Sequence, residues 1–236
     1  RFDRFRGSLD GARGIVMYDG AEQRWKAVGP GLQGGKGEVL ALLAVCESES
    51  GKCANQTESV YAGGSFQQAG VLTTTNIAKW DGESWQRMGS LNGPVYALAA
   101  MGGWIYAGGA FTAADYPGGF AVAEHLARWR GGAWHAIKSG ASQAVYALLA
   151  VRSCLYLAGS FAQLCDVPPG LVPAASCAQE ADPRAAQPAN ALARVCFGPQ
   201  ASAEQADEEM GPWEPLETHA ISRLSKAKAL ASYMPP

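Results

Sequence analysis

Apolar positions along the chain fall in runs of four to eight residues rich in Val, Ile, Tyr and Trp, closed by Gly, Pro or Asp-Gly. That is the pattern of strands and tight turns, too short for stable helices. Three such runs are alike: "EVLALLAV" at 38–45, "PVYALAAM" at 94–101 and "AVYALLAV" at 144–151. Each precedes a glycine phrase, "YAGGSF" at Tyr61–Phe66, "YAGGAF" at Tyr106–Phe111 or "YLAGSF" at Tyr156–Phe161. After a variable loop comes "NIAKWDGESWQRMG" (76–89), matched by "HLARWRGGAWHAIKSG" (125–140), by "GIVMYDGAEQRWKAVG" (14–29), and in degraded form by "ALARVC" (191–196) with "GPWEPLE" (211–217).

Each unit therefore predicts four short strands: the apolar run, the glycine phrase, the "IAKW" segment and the segment that opens on Trp. Asp19-Gly20, Asp81-Gly82 and Gly131-Gly132 stand where tight hairpins need a positive φ. Repeats spaced at 45 and 50 residues suggest architecture more than catalysis. Four antiparallel strands in such a period make a propeller blade, whose apolar faces are covered only by neighbouring blades. The expected organisation is all-β: a half blade at 1–30, blades at 39–89, 94–140 and 144–217, and the start of another at 226–236. Because propellers usually close with four to eight blades, a segment of a longer chain is expected. The expected repeat core is Gly63, Gly64, Phe66, Trp80, Trp85, Gly108, Gly109, Phe111, Trp129, Trp134, Gly159 and Phe161. Its glycines are expected to let the second strand bulge where backbones approach.

The double glycines, the Tyr position held by Tyr18, Trp80 and Trp129, and the Trp position held by Trp25, Trp85, Trp134 and Trp213 resemble the kelch repeat. The fuller phrase is most similar to kelch-like repeats of large secreted or surface-anchored proteins, including fungal cortical markers of cell polarity. The resemblance covers roughly residues 2–217 and implies a fold more than an activity.

Composition narrows the role. The 236 residues carry a formal net charge of −2, with 17% charged and 48% hydrophobic residues. No basic excess points to nucleic acid, and no apolar stretch of spanning length predicts membrane insertion of this segment. Six cysteines have no C-x-x-C pair. In the repeat frame Cys46 and Cys53 bracket an insertion between the first and second strands, and Cys165 and Cys177 fall in a longer insertion. Cys154 and Cys196 lie at adjacent ends of two antiparallel strands. The pairing expected from these places is 46–53, 165–177 and 154–196, one of 15 connectivities, with six free thiols as the alternative. Asn55-Gln56-Thr57 is an N-glycosylation acceptor pattern beside the first staple. Together these features suggest a secreted or cell-surface protein.

Candidate chemistry is sparse. His125, His135 and His219 share no metal-ligand spacing and read as surface or rim residues. No nucleophile elbow or phosphate loop occurs. The acidic run at Glu204–Glu209 reads as a solvated loop. Neither metal nor cofactor is expected. Trp104, in the turn "MGGW", is a candidate exposed contact. The expected function is a non-catalytic scaffold in a cell wall, surface filament or coat. Its expected partners are other chains of that extracellular assembly, with glycans as a further candidate. Two alternatives stand beside it: part of a carbohydrate-active or oxidase enzyme, and a cytosolic kelch-type adaptor.

Overall fold

The computed structural model describes residues 12–46, 58–116, 119–138, 140–165, 186–188, 191–197 and 210–216. Every regular element among them is a strand. The chain divides into two units, Arg1–Val95 and Tyr96–Pro236.

The first unit holds β1 (Val16–Asp19), β2 (Arg24–Ala27), β3 (Leu32–Gln33), β4 (Glu38–Cys46), β5 (Glu58–Ser65), β6 (Gln68–Ala69), β7 (Leu72–Thr73), β8 (Ile77–Trp80) and β9 (Trp85–Arg87). Strands β4-β5-β8-β9 form an antiparallel sheet in that order, β1-β2 a hairpin, and β3-β6-β7 a small sheet. The hairpin packs on the four-stranded sheet. Ile15, Val28 and Leu32 are buried in one cluster with Ala62, Phe66, Ala69, Ala78 and Trp85, and the Trp85 indole donates to the Val28 carbonyl at 3.2 Å.

At the boundary starts β10 (Val95–Met101), followed by β11 (Trp104–Gly109), β12 (Ala113–Tyr116), β13 (Gly119–Val122), β14 (Leu126–Arg130), β15 (Ala133–Ala136), β16 (Val145–Val151), β17 (Cys154–Gly159), β18 (Gln163–Cys165), β19 (Ala186–Pro188), β20 (Leu192–Cys196) and β21 (Glu214–Pro215). Two four-stranded sheets, β10-β11-β14-β15 and β16-β17-β20-β21, keep the chain order, and β12-β13 and β18-β19 are accessory hairpins. One buried cluster joins these two sheets: Trp104, Tyr106, Leu126 and Ile137 from the first, and Val145, Leu155, Leu157, Val195, Phe197 and Trp213 from the second. Tyr106 meets Phe197 edge-on at 6.0 Å, and Tyr96 meets Tyr146 at 5.4 Å. Thus each of the intervals 39–89, 94–140 and 144–217 supplies one four-stranded sheet, and in each unit a sheet buries an apolar face against the adjacent strands.

Two local expectations need correction. The irregularity lies in the first strand of the sheet, not in the glycine strand: register shifts between Val39 and Ala41 in β4 and between Val145 and Ala147 in β16. The glycines opposite make room for it. A Cβ on Gly64 would lie 2.0 Å from the Glu38 carbonyl oxygen, and one on Gly159 would lie 2.1 Å from that of Ala144. In the first hairpin the positive φ falls on Gln23 (51°), not on Gly20. Tyr18 pairs with Trp25, so the loop has four residues beyond Asp19 and Arg24, and the Asp19 carboxylate caps the amides of Ala21 and Glu22. Gly131 and Gly132, by contrast, form a two-residue turn with φ of 63° and 87°.

Residues 1–11, 226–236, Cys53, Asn55, Cys177, the acidic run and His219 lie outside the described residues.

Candidate functional site

The residues singled out by the repeat converge on one local motif, built three times where the second strand turns toward the third. Asn76, His125 and Ala191 immediately precede the third strand and adopt φ of 68°, 65° and 64°. The last glycine of each phrase donates its amide to the carbonyl of that residue, Gly64 to Asn76, Gly109 to His125 and Gly159 to Ala191, each at 3.0 Å. Asn76 and His125 in turn donate their amides to the carbonyls of Phe66 and Phe111. Phe66, Phe111 and Phe161 are buried beneath this crossing. Gly63, Gly64, Gly108 and Gly109 are buried with them, and a Cβ on Gly108 would sit 2.7 Å from Val145 of the neighbouring sheet. The repeat pattern does not itself mark the left-handed residue. The available signal was Gly14 and Asn76 at matching positions, two residue types that tolerate positive φ; Gly14 has φ 74°.

A second repeated feature is a cross-strand pair between the phrase tyrosine and a cation. The register sets Tyr61 against Lys79, Tyr106 against Arg128 and Tyr156 against Arg194. Lys79 lies 5.9 Å from the Tyr61 ring centre, and Arg194 reaches the Tyr156 hydroxyl at 3.4 Å and Glu214 at 2.7 Å. Burial raises the Tyr106 hydroxyl pKa, with the nearby Arg128 charge opposing it.

Trp104 is not an exposed contact. It is 7% exposed and belongs to the buried cluster. The Arg128 guanidinium covers its ring at 4.2 Å, Arg130 approaches at 5.5 Å, and His135 meets it edge-on at 5.3 Å. The turn at Gly102-Gly103 places the indole at the start of β11, and stacked cations seal its faces. Among the tryptophans in register, Trp85, Trp134 and Trp213 are buried, Trp80 and Trp129 half-buried, and Trp25 is 46% exposed. Trp25 therefore does not share the packing of its equivalents. Trp80 and Trp129 lie against Trp85 and Trp134, each at 5.3 Å.

His125 departs from a surface histidine. Its Nδ1 is buried without a hydrogen-bond partner among the described residues, and burial holds its pKa below the ordinary value. No group of three or more His, Cys, Asp or Glu among the described residues is placed to hold a metal ion. No described helix is long and apolar enough to cross a membrane.

Cys154 and Cys196 face each other across β17 and β20 and form a disulfide with S–S 2.05 Å, as their places in the repeat indicate. Cys46, at the end of β4, is disulfide-bonded. Cys165 ends β18.

Scanned against protein-family models and against curated proteins, the chain gives no match.

Proposed function

We propose that the chain is a kelch-like β-propeller section serving as a non-catalytic interaction scaffold in a secreted or cell-surface protein. The observation that carries this is the threefold recurrence of one sheet with one hydrogen-bonded crossing, in which the repeated residues are spent on packing. Gly64 and Gly159 abut backbone carbonyls, and Phe66, Phe111, Phe161, Trp85 and Trp134 are buried. A four-stranded sheet that buries its apolar side chains in one cluster with the adjacent strands, as within each unit, suits blades fanned about an axis. The Cys154–Cys196 bridge and the bonded Cys46 suit an oxidising compartment. In this role the variable insertions, led by residues 165–190 and with 46–59 beside them, carry the contacts to other chains and to glycans, and Asn55 is glycosylated.

Non-reducing peptide mapping of the native protein, with fractionation of its source cells, tests the assignment. Linked Cys154 and Cys196 peptides from an extracellular or surface fraction are expected. Six alkylatable thiols in a cytosolic fraction would overturn it in favour of an intracellular adaptor.

A further inference from the structure

Tyr96 on β10 and Tyr146 on β16 lie against each other inside the second unit, with ring centres 5.4 Å apart and planes inclined by 39°. The two strands are the first of their sheets, and each stands at an edge of its own, β10-β11-β14-β15 or β16-β17-β20-β21. No main-chain ladder joins β10 to β16, so the ring pair is a contact made by side chains alone. The bulge in β16 aims one of the two rings. The register against β17 steps from Val145 to Ala147, which makes Tyr146 the extra residue, and a bulge redirects the side chain it carries. Tyr146 is 46% exposed and Tyr96 half-buried. The other described phenols are engaged differently. Tyr61 and Tyr106 are buried, Tyr156 accepts a hydrogen bond from Arg194, and Tyr18 lies edge-on to Trp25.

We propose that Tyr96 and Tyr146 form a site of oxidative coupling, closed by a dityrosine bond between the two first strands. The oxidant is hydrogen peroxide acting through a haem peroxidase. Each phenol gives up one electron and its hydroxyl proton and becomes a phenoxyl radical, whose unpaired spin is shared with the ring carbons beside the C–O bond. One Cε of Tyr96 then bonds to one Cε of Tyr146. The hydrogens on those carbons pass as protons to the oxygens, which restores both phenols. The pair has lost two hydrogen atoms, and the peroxide has become two molecules of water. The exposed Tyr146 ring delivers electrons to the oxidant, and Tyr96, in contact with it, is oxidised through it. Because the second ring is already in place, coupling within one molecule outruns collision between molecules. The bond ties together two sheets that share no ladder and restricts the unfolded chain between them. The inference rests on the scaffold reading for its extracellular supply of peroxide, whereas the coupling itself rests on the ring pair.

Treatment of the dilute 236-residue protein with a haem peroxidase and stoichiometric hydrogen peroxide tests this. Blue dityrosine fluorescence is expected in a product that still runs as a monomer on a reducing, denaturing gel. Its digest should contain a peptide pair lighter by two hydrogen atoms and joined at Tyr96 and Tyr146. Tyr146→Phe keeps the packed ring but removes the hydroxyl, and is expected to lower the fluorescence of the monomer about tenfold. Tyr18→Phe, at an exposed ring set against a tryptophan, is expected to leave it unchanged. Absence of the fluorescence, its confinement to dimers, links at other tyrosines, or a Tyr146→Phe variant as fluorescent as the parent would overturn the inference. None of these results bears on where the protein resides, which the thiol mapping decides separately.

Discussion

At the scale of single residues, the repeated phrase separates into positions fixed by space and positions fixed by backbone angle. Gly64 belongs to the first kind, because a methyl group there would meet a backbone carbonyl at 2.0 Å. Gly64→Ala is expected to destabilise the protein by about 2–3 kcal/mol through overpacking. Gly20→Ala, at a position with open space and no positive φ, is expected to be neutral within about 0.5 kcal/mol. Urea unfolding of both variants checks the contrast. His125 belongs to the second kind. It holds a left-handed angle with a buried Nδ1 that has no hydrogen-bond partner among the described residues, whereas Asn76 at the matching place accepts from the Phe66 amide and donates to the Leu91 carbonyl at 2.8 Å. Asn tolerates that angle better than His. His125→Asn is therefore expected to raise unfolding free energy by about 1 kcal/mol in the same assay. The glycines were legible in the sequence because they recur. Their partners were not, since a carbonyl that crowds a glycine carries no mark in its own side chain, and Ala191 occupies the left-handed place without any compositional signal.

At the scale of elements, strand order and hairpin positions were legible because a period of two and punctuation by Gly and Asp leave little freedom. Loop chemistry was less so. Asp-Gly at 19–20 and at 81–82 looks alike, yet only Gly82 takes a positive φ, at 104°. What the two loops share is the aspartate. Asp81 accepts from the amides of Ser84 and Glu83, which hold its pKa at about 2, and Asp19 is lowered to about 2 by Lys26 first and then by the Glu22 amide. Both values lie below the unfolded one. The stability these groups lend is complete above about pH 4 and is lost as pH falls toward 2. Asp81→Asn keeps an acceptor oxygen but cannot titrate, so its melting temperature should fall less steeply over that window than the parent's. Equal slopes would remove the assigned cause. Trp104 shows the opposite limit of the sequence. A tryptophan in a turn reads as exposed until Arg128, on the adjacent strand β14, is seen to lie over its ring.

At the scale of the whole molecule, the account requires the first strands of the sheets to converge and the last to splay, as blades about an axis do. Within the second unit the first strands do approach, with the rings of Tyr96 and Tyr146 at 5.4 Å. Tyr96 is half-buried and Tyr146 46% exposed, so both accept a reporter. The most direct test is a spin-label distance measurement on unnatural amino acids within the second unit, comparing the pair Tyr96 and Tyr146 on first strands with the pair Ala133 and Glu214 on last strands. The account predicts a clearly shorter distance for the first pair than for the second. Equal distances, or a longer one between the first strands, would contradict it.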